Sequence, residues 1–163
     1  MGLDMYLYAD NYVSRRTNER IGDYEYATNP AFQNVLATLN ATHLVDENDF
    51  VGMSVSIPVG YWRKANAIHA WIVDNCADGV DECQRIYVSK DKAEELVALC
   101  KSVISDPSSA NELLPPQSGF FFGSTDIDEW YLNDLKRTVQ IFEKVLKASE
   151  RGEVDSVIYQ ASW

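Results

Sequence analysis

Residues 125–147 constrain this chain more than any other stretch. Leu132, Leu135, Val139, Phe142 and Leu146 recur at three- and four-residue spacing, which predicts one long amphipathic helix with an apolar stripe that other elements must cover. Thr125 or Asp126 caps it, and Asp126 with Glu129 has the capping-box pattern. Basic Lys136, Arg137, Lys144 and Lys147 lie toward its carboxyl end, where the helix dipole favours cations, and Gly152 ends it.

The rest of the chain mixes strand and helix patterns. Leu3 to Tyr8 alternate as a strand, and "GDYEYAT" is expected to pair with it as a hairpin across the basic turn "SRRTNER". Pro30 opens a short helix with Phe32, Val35, Leu36 and Leu39 on one face. After the acidic loop "VDENDF", Val51, Met53, Val55 and Ile57 alternate until Pro58, which lacks the amide donor a ladder needs, so this strand should break there. A helix is predicted from Tyr61 to about Cys76, with Trp62, Ala65, His69, Ile72 and Cys76 along one side and Ile68 and Trp71 beside them. "DGVDEC" breaks it and "QRIYVS" is a strand. Ser89 caps a helix with Ala93, Leu96, Val97, Cys100 and Ile104 inward, and Asp106-Pro107 stops that helix. "ANELL" reads as a short helical piece and "DSVIYQASW" as a closing strand. With no regular βαβ repeat, the expectation is an α+β fold in one domain, residues 1–163: a mostly antiparallel sheet with amphipathic helices packed on one side.

Composition narrows the function classes. A chain of 163 residues that is 46% hydrophobic can build a core without disulfides or metal, and no apolar run approaches the roughly 18 residues of a membrane span. The net charge of −11 repels phosphate backbones and anionic membranes, which argues against nucleic acid as a partner. Two readings of that acidity stay open, plain solubility and mimicry of a polyanion toward a basic protein partner. Cys76, Cys83 and Cys100 include no C-x-x-C pair and read as reduced thiols. The start "MGLDMYLYAD" has neither a basic region nor a small-residue cleavage site, and Tyr6 stands where a myristoylation signal needs Ser or Thr, so a cytoplasmic setting is expected.

"GYWRKANAIHAW" is the most informative segment for chemistry. Arg63 and Lys64 fall in the first turn of the predicted helix, where the dipole makes cations mildly unfavourable, and with free backbone amides they make a site for a phosphate or carboxylate. The alternative is that both pair with acids such as Asp126 or Asp128. Asn66 and His69 share a helical face and, with Tyr61 and Trp62, could read a purine, ribose or amide group. A lone histidine on an apolar face is more often a hydrogen-bonded core residue, and His69 also has that reading. Metal is not expected: H-E-x-x-H is absent, and the acidic loop from Asp74 has Cys76 and Arg85 at EF-hand ligand positions.

"GFFFGST" lacks the P-loop lysine and the G-x-S-x-G elbow. It reads either as a core strand, with Phe120 and Phe122 inward and Phe121 outward, or as a binding wall. In the second reading Phe121 beside Trp130 and Tyr131 stacks a base while Ser124 and Thr125 meet a phosphate.

The blocks "MGLDMYLY", "YWRKANAIHAWIV", "DGVDEC", "LLPPQSGFFFGSTDIDEWYLNDL" and "YQASW", spread over most of the chain, resemble a family of small proteins encoded by bacteriophages and prophages; Arg15 to Asp49 departs most from that pattern. The resemblance implies a phage origin and the cytoplasm of an infected bacterium, and it carries no established activity. The resulting expectation is a non-enzymatic protein, without cofactor, that sequesters a small anionic, nucleotide-derived ligand such as a host immune signal. Tyr61, Trp62, Arg63, Lys64, Asn66, His69, Phe121, Ser124, Thr125 and Trp130 would line its site, which a homo-oligomer can share between subunits. The alternatives are an acidic inhibitor that binds a host protein and a hydrolase using His69, oriented by Asp126, Asp128 or Glu129.

Overall fold

The structure, a computed structural model, describes residues 2–46 and 52–163. The last four residues of the acidic loop, 47–50, and the alternating position Val51 lie outside the described residues. In chain order the elements are β1 (Asp4–Ser14), β2 (Arg16–Arg20), β3 (Tyr26–Thr28), α1 (Pro30–Thr38), β4 (Gly52–Arg63), α2 (Asn66–Cys76), β5 (Ile86–Tyr87), α3 (Lys90–Ser105), α4 (Ala110–Leu113), α5 (Glu129–Glu150) and β6 (Ser156–Ser162). They form an α+β fold with an antiparallel four-stranded sheet, in the order β4-β1-β6-β5, and a separate two-stranded sheet. Two compact units divide the chain: Met1–Asp10 with Ser56–Trp163, and Asn11–Val55.

In the larger unit the closing strand lies beside the first. β6 pairs antiparallel with β1, Leu7 opposite Tyr159 and Met5 opposite Ala161, and β5 adds Ile86 opposite Tyr159. Alternation along β1 buries Met5, Leu7 and Ala9 on one face, where Met5 and Leu7 join Ile68, Ile72, Leu96, Cys100, Leu135 and Phe142 from the helices. Several local signals act as read. Ser89 caps α3 by accepting from the Lys92 amide, and Ala93, Leu96, Val97 and Cys100 are buried. Asp106 and Pro107 end α3, and α4 follows over Ala110–Leu113.

Other elements differ from expectation for reasons that lie in tertiary pairing. β4 runs through Pro58 without a break, because β4 is the sheet's edge and an edge residue needs no amide donor on its outer side. It also continues through Tyr61 to Arg63, so α2 begins at Asn66 instead of Tyr61. The sheet holds that segment: the Lys64 amide donates to the Leu3 carbonyl at 2.8 Å, and Trp62 turns inward, fully buried. Gly60 is required here, since a β-carbon on it would lie 2.7 Å from the Ile141 side chain where α5 crosses β4.

α5 starts two residues later than the capping-box pattern implied. Asp128 is the cap, accepting from the Tyr131 amide at 3.0 Å, and the Asp126 carboxylate instead takes the Ser124 hydroxyl at 2.7 Å. The buried stripe of α5 is Tyr131, Leu135, Thr138, Phe142 and Val145, with Leu132, Val139 and Leu146 only partly buried at the edge of the core. "GFFFGST" is a turn and not a strand. The Phe122 amide closes back on the Gly119 carbonyl, Phe120 is 96% exposed, and Phe121 and Phe122 are half-buried. That reverses the expected facing of Phe120 and Phe121.

In the smaller unit the basic stretch read as a turn contains β2, which pairs with β3; the hairpin expected between residues 3–8 and 22–28 does not form. α1 starts at Pro30 as read, with Asn29 capping the Ala31 amide, but it buries Phe32 alone and leaves Leu39 69% exposed.

Candidate functional site

The junction between β4 and α2 opens into a cavity of about 270 Å³. Arg63 is the last residue of β4. Lys64 takes a left-handed turn with φ of 61°, a conformation that costs a non-glycine residue about 1–2 kcal/mol, and its carbonyl accepts from the Asn66 amide at 2.8 Å. α2 then starts without a side-chain cap on Ala65. Among the described residues nothing accepts from the Ala67 or Ile68 amides, since the first intrahelical bond is made by the His69 amide to the Ala65 carbonyl. Both Ala67 and Ile68 line the cavity. Arg63 and Lys64 line it too, and neither makes an ion pair with a described residue. The alternative pairing of these cations with Asp126 or Asp128 is therefore not seen among the described residues.

The loop 117–124 closes another side and is held by one side chain. Asn66 is buried; its Nδ2 donates to the Phe122 carbonyl at 3.0 Å and the Ser124 carbonyl at 2.8 Å, and its Oδ1 accepts from the Gln117 amide at 3.1 Å. Gly123, with φ of 90°, lets the loop lie against Lys64, where a β-carbon would come within 3.1 Å of the lysine side chain.

α5 supplies the remaining wall with Trp130, Tyr131, Asp134 and Leu135, preceded by Asp126 and Asp128. Two cations thus share the cavity with three aspartates, and the local excess of positive charge expected from the sequence is offset. Asp126 and Asp128 have protein donors, the Ser124 hydroxyl and the Tyr131 amide. The half-buried Asp134 carboxylate has none among the described residues, and Arg137, the cation acting on it from the same helix, donates its Nε to the Tyr61 carbonyl at 2.7 Å. Burial pushes the Asp134 carboxyl up to about 6 against the opposing effect of Arg137, with the Asp128 charge adding to the rise.

This shift has a stability consequence. Asp134 binds its proton more tightly in the folded chain than at its ordinary value of 3.8, so its contribution to stability is full below about pH 4 and is lost as pH rises through about 6. Asp134→Asn should therefore be more stable than the parent above pH 6, by about 1–2 kcal/mol, and should flatten the fall in stability across that interval. Urea midpoints from pH 4 to 8 test this; equal midpoints at pH 7.5 would show that the ionised carboxylate is not destabilised by its site.

Of the residues read from the sequence as ligand-binding, the structure brings Arg63, Lys64, Asn66, Ser124 and Trp130 to the cavity. Tyr61, Trp62, His69, Phe121 and Thr125 are not on its lining. The Tyr61 hydroxyl donates to the Asp4 carboxylate, and Trp62 donates its Nε1 proton to the Thr138 hydroxyl at 2.9 Å inside the core. Phe121 stacks edge-on with Phe120, and Thr125 is exposed.

His69 is buried and both ring nitrogens are engaged, with Nδ1 2.7 Å from the Tyr159 hydroxyl and Nε2 2.9 Å from the Asp81 carboxylate. With Asp81 ionised and the ring neutral, Nε2 donates to the carboxylate and the Tyr159 hydroxyl donates to Nδ1. The core reading of His69 holds, and Asp126, Asp128 and Glu129 do not orient its ring. Cys100 is buried and its thiol is pushed up to about 12, which makes it unreactive. Among the described residues no group of three His, Cys, Asp or Glu side chains is placed to hold a metal ion, and no helix is long and apolar enough to cross a membrane.

Sequence reasoning missed Asp134 and Gly123 as parts of the cavity, and it placed Asp126 and Asp128 only as ion-pair partners of the cations or orienters of His69. A signal for Asp134 was present: it lies three residues after Tyr131 and four before Thr138, on the side of α5 that those buried residues mark. No protein-family model, curated protein or solved structure matches this chain.

Proposed function

We propose that this protein binds a small phosphorylated, nucleotide-type molecule in the cavity at the β4–α2 junction and holds it without turning it over. One observation carries this reading: Ala67 and Ile68, whose amides have no acceptor among the described residues, and the cations Arg63 and Lys64, which make no ion pair with a described residue, line the same cavity. Free amides at a helix start, the positive end of its dipole and flanking basic side chains together form an anion site. Trp130 at the rim is 80% exposed and offers a ring face to a base. At about 270 Å³ the cavity is just below the usual range for small-molecule sites, roughly 300–1,000 Å³, and so suits one nucleotide better than a linked pair. His69, the candidate acid or base, is occupied in the core, which supports binding without chemistry.

The resemblance to phage proteins makes sequestration of a nucleotide-derived immune signal in an infected bacterium the setting we favour. The decisive experiment incubates the protein with nucleotide monophosphates, removes free ligand, denatures the protein and identifies what is released by mass spectrometry. Intact nucleotide supports capture, and altered nucleotide refutes it in favour of catalysis.

Arg63→Ala should weaken a nucleotide monophosphate by about 1.5–3 kcal/mol, the usual worth of a charged hydrogen bond. Its thermal midpoint should hardly change, because Arg63 is exposed and makes no ion pair with a described residue. Calorimetric titration beside a melting curve checks both parts. Unchanged affinity removes Arg63 from the site.

A second reading, capture of a basic host protein, is favoured by Phe120, which stands 96% exposed at a loop tip of a chain with net charge −11. Phe120→Ser separates the two: it should leave nucleotide binding intact and abolish a protein complex.

A further inference from the structure

The cavity has two chemically different parts. At the start of α2 everything on offer is a donor or a cation: the Ala67 and Ile68 amides, Arg63 and Lys64. On the α5 wall the group without a partner is the Asp134 carboxylate, half-buried and free of hydrogen bonds and ion pairs to described residues. Asp126 and Asp128 border the same wall but already accept from Ser124 and Tyr131. Partly burying a carboxylate without a hydrogen-bond donor is costly, and Arg137 offsets only part of that cost here. The missing partner is a group that brings N–H bonds into the cavity.

Resting on the phosphate-binding reading above, the chemistry of an ionised carboxylate selects among nucleobases. It offers two adjacent acceptor oxygens and no donor. Adenine and cytosine present an amino donor beside a ring-nitrogen acceptor, and uracil presents one N–H flanked by carbonyls, so each sets an acceptor against an acceptor. Guanine presents N1–H and the exocyclic N2–H side by side, and both can be accepted at once. We propose that Asp134 is the specificity-determining residue of this cavity and that the ligand is a guanine mononucleotide, with its phosphate at Ala67 and Ile68, its ring beside Trp130 and its N1–H/N2–H edge on Asp134.

The test titrates the intact protein at pH 7.5 with GMP, IMP and AMP, reading affinity by calorimetry and site occupancy from the Ala67 and Ile68 amide resonances. IMP lacks the exocyclic amine, and AMP reverses the edge. GMP should bind at least tenfold more tightly than either, the discrimination a bidentate base contact provides, while all three shift the two amides. Asp134→Asn and Asp134→Ala should bring the three nucleotides within about twofold of one another and preserve the amide shifts. Equal affinities in the parent protein, or a guanine preference that survives in both variants, would overturn the role of Asp134 and leave the phosphate site standing. No shift at Ala67 or Ile68 with any of the three would overturn the phosphate site and this proposal with it.

Discussion

Trp62→Ala is expected to cost about 3–5 kcal/mol, the range for truncating a large buried aromatic side chain. Trp62 is 1% exposed, packs against Phe142 with ring centroids 6.2 Å apart, and ties β4 to α5 through the Thr138 hydroxyl. Thr138 in turn donates to the Asp134 carbonyl, so the contact reaches the helix turn that bears the cavity carboxylate. Against a total stability of about 5–15 kcal/mol, that loss leaves the fold marginal. Urea unfolding followed by far-UV circular dichroism measures it. A drop below about 1.5 kcal/mol would show that neighbouring side chains collapse into the vacated space. Trp62→Phe separates the ring from its N–H: it should cost about 1–2 kcal/mol, since the Thr138 hydroxyl keeps its bond to Asp134.

Asn66→Ala should act on the site more than on the core. It removes three hydrogen bonds and leaves the Phe122 and Ser124 carbonyls and the Gln117 amide without their partner, a loss of about 2–4 kcal/mol for partly buried groups. The cost falls on a loop otherwise fastened by the Phe121 carbonyl accepting from the Leu3 amide and by Phe122 against His69. Hydrogen exchange across residues 117–124 should therefore rise sharply while α3 and α5 keep their protection. Nucleotide binding should fall as well, because Gly123 and Ser124 are cavity wall. Unchanged exchange in that loop would mean that Asn66 is not its anchor. Asn66→Asp makes a stricter comparison: it keeps the side-chain size but sets a carboxylate against two carbonyl oxygens, and it should release the loop at least as fully.

Where the sequence was informative, the deciding interaction was local. Ser89 and Lys92 lie within one turn, Pro30 presets its own φ, and the stripe of α3 repeats within a single helix, so these features could be read without knowing the neighbours. The α+β class followed from the same periodicities. Half of the residues read as ligand-binding reach the cavity, and Arg63, Lys64 and Asn66 do so because they lie at the observed start of α2, Asn66, which comes later than the inferred Tyr61 but still within the segment read as helical.

The failures share the opposite cause. Tyr61 to Arg63 satisfy a helical spacing as well as a strand alternation, and the choice is made by β1, nearly sixty residues earlier in the chain, whose Leu3 carbonyl takes the Lys64 amide. Pro58 is tolerated because β4 is an edge, a fact of sheet order. Asp126 and Asp128 both stand at capping positions, and the contest between them is settled where Ser124 occupies Asp126.

The sequence by itself determined which segments are largely helical and where most of those helices start or stop, because spacing and capping act over a few residues; the basic pair it placed inside the second helix lies just before it. Only the tertiary structure decided that Asn66 fastens a loop, that His69 is sealed in the core and that Asp134 shares a cavity with Arg63 and Lys64. Those relations depend on hydrogen-bond partners and burial supplied by segments twelve to ninety residues away, and the local pattern carries no record of such partners.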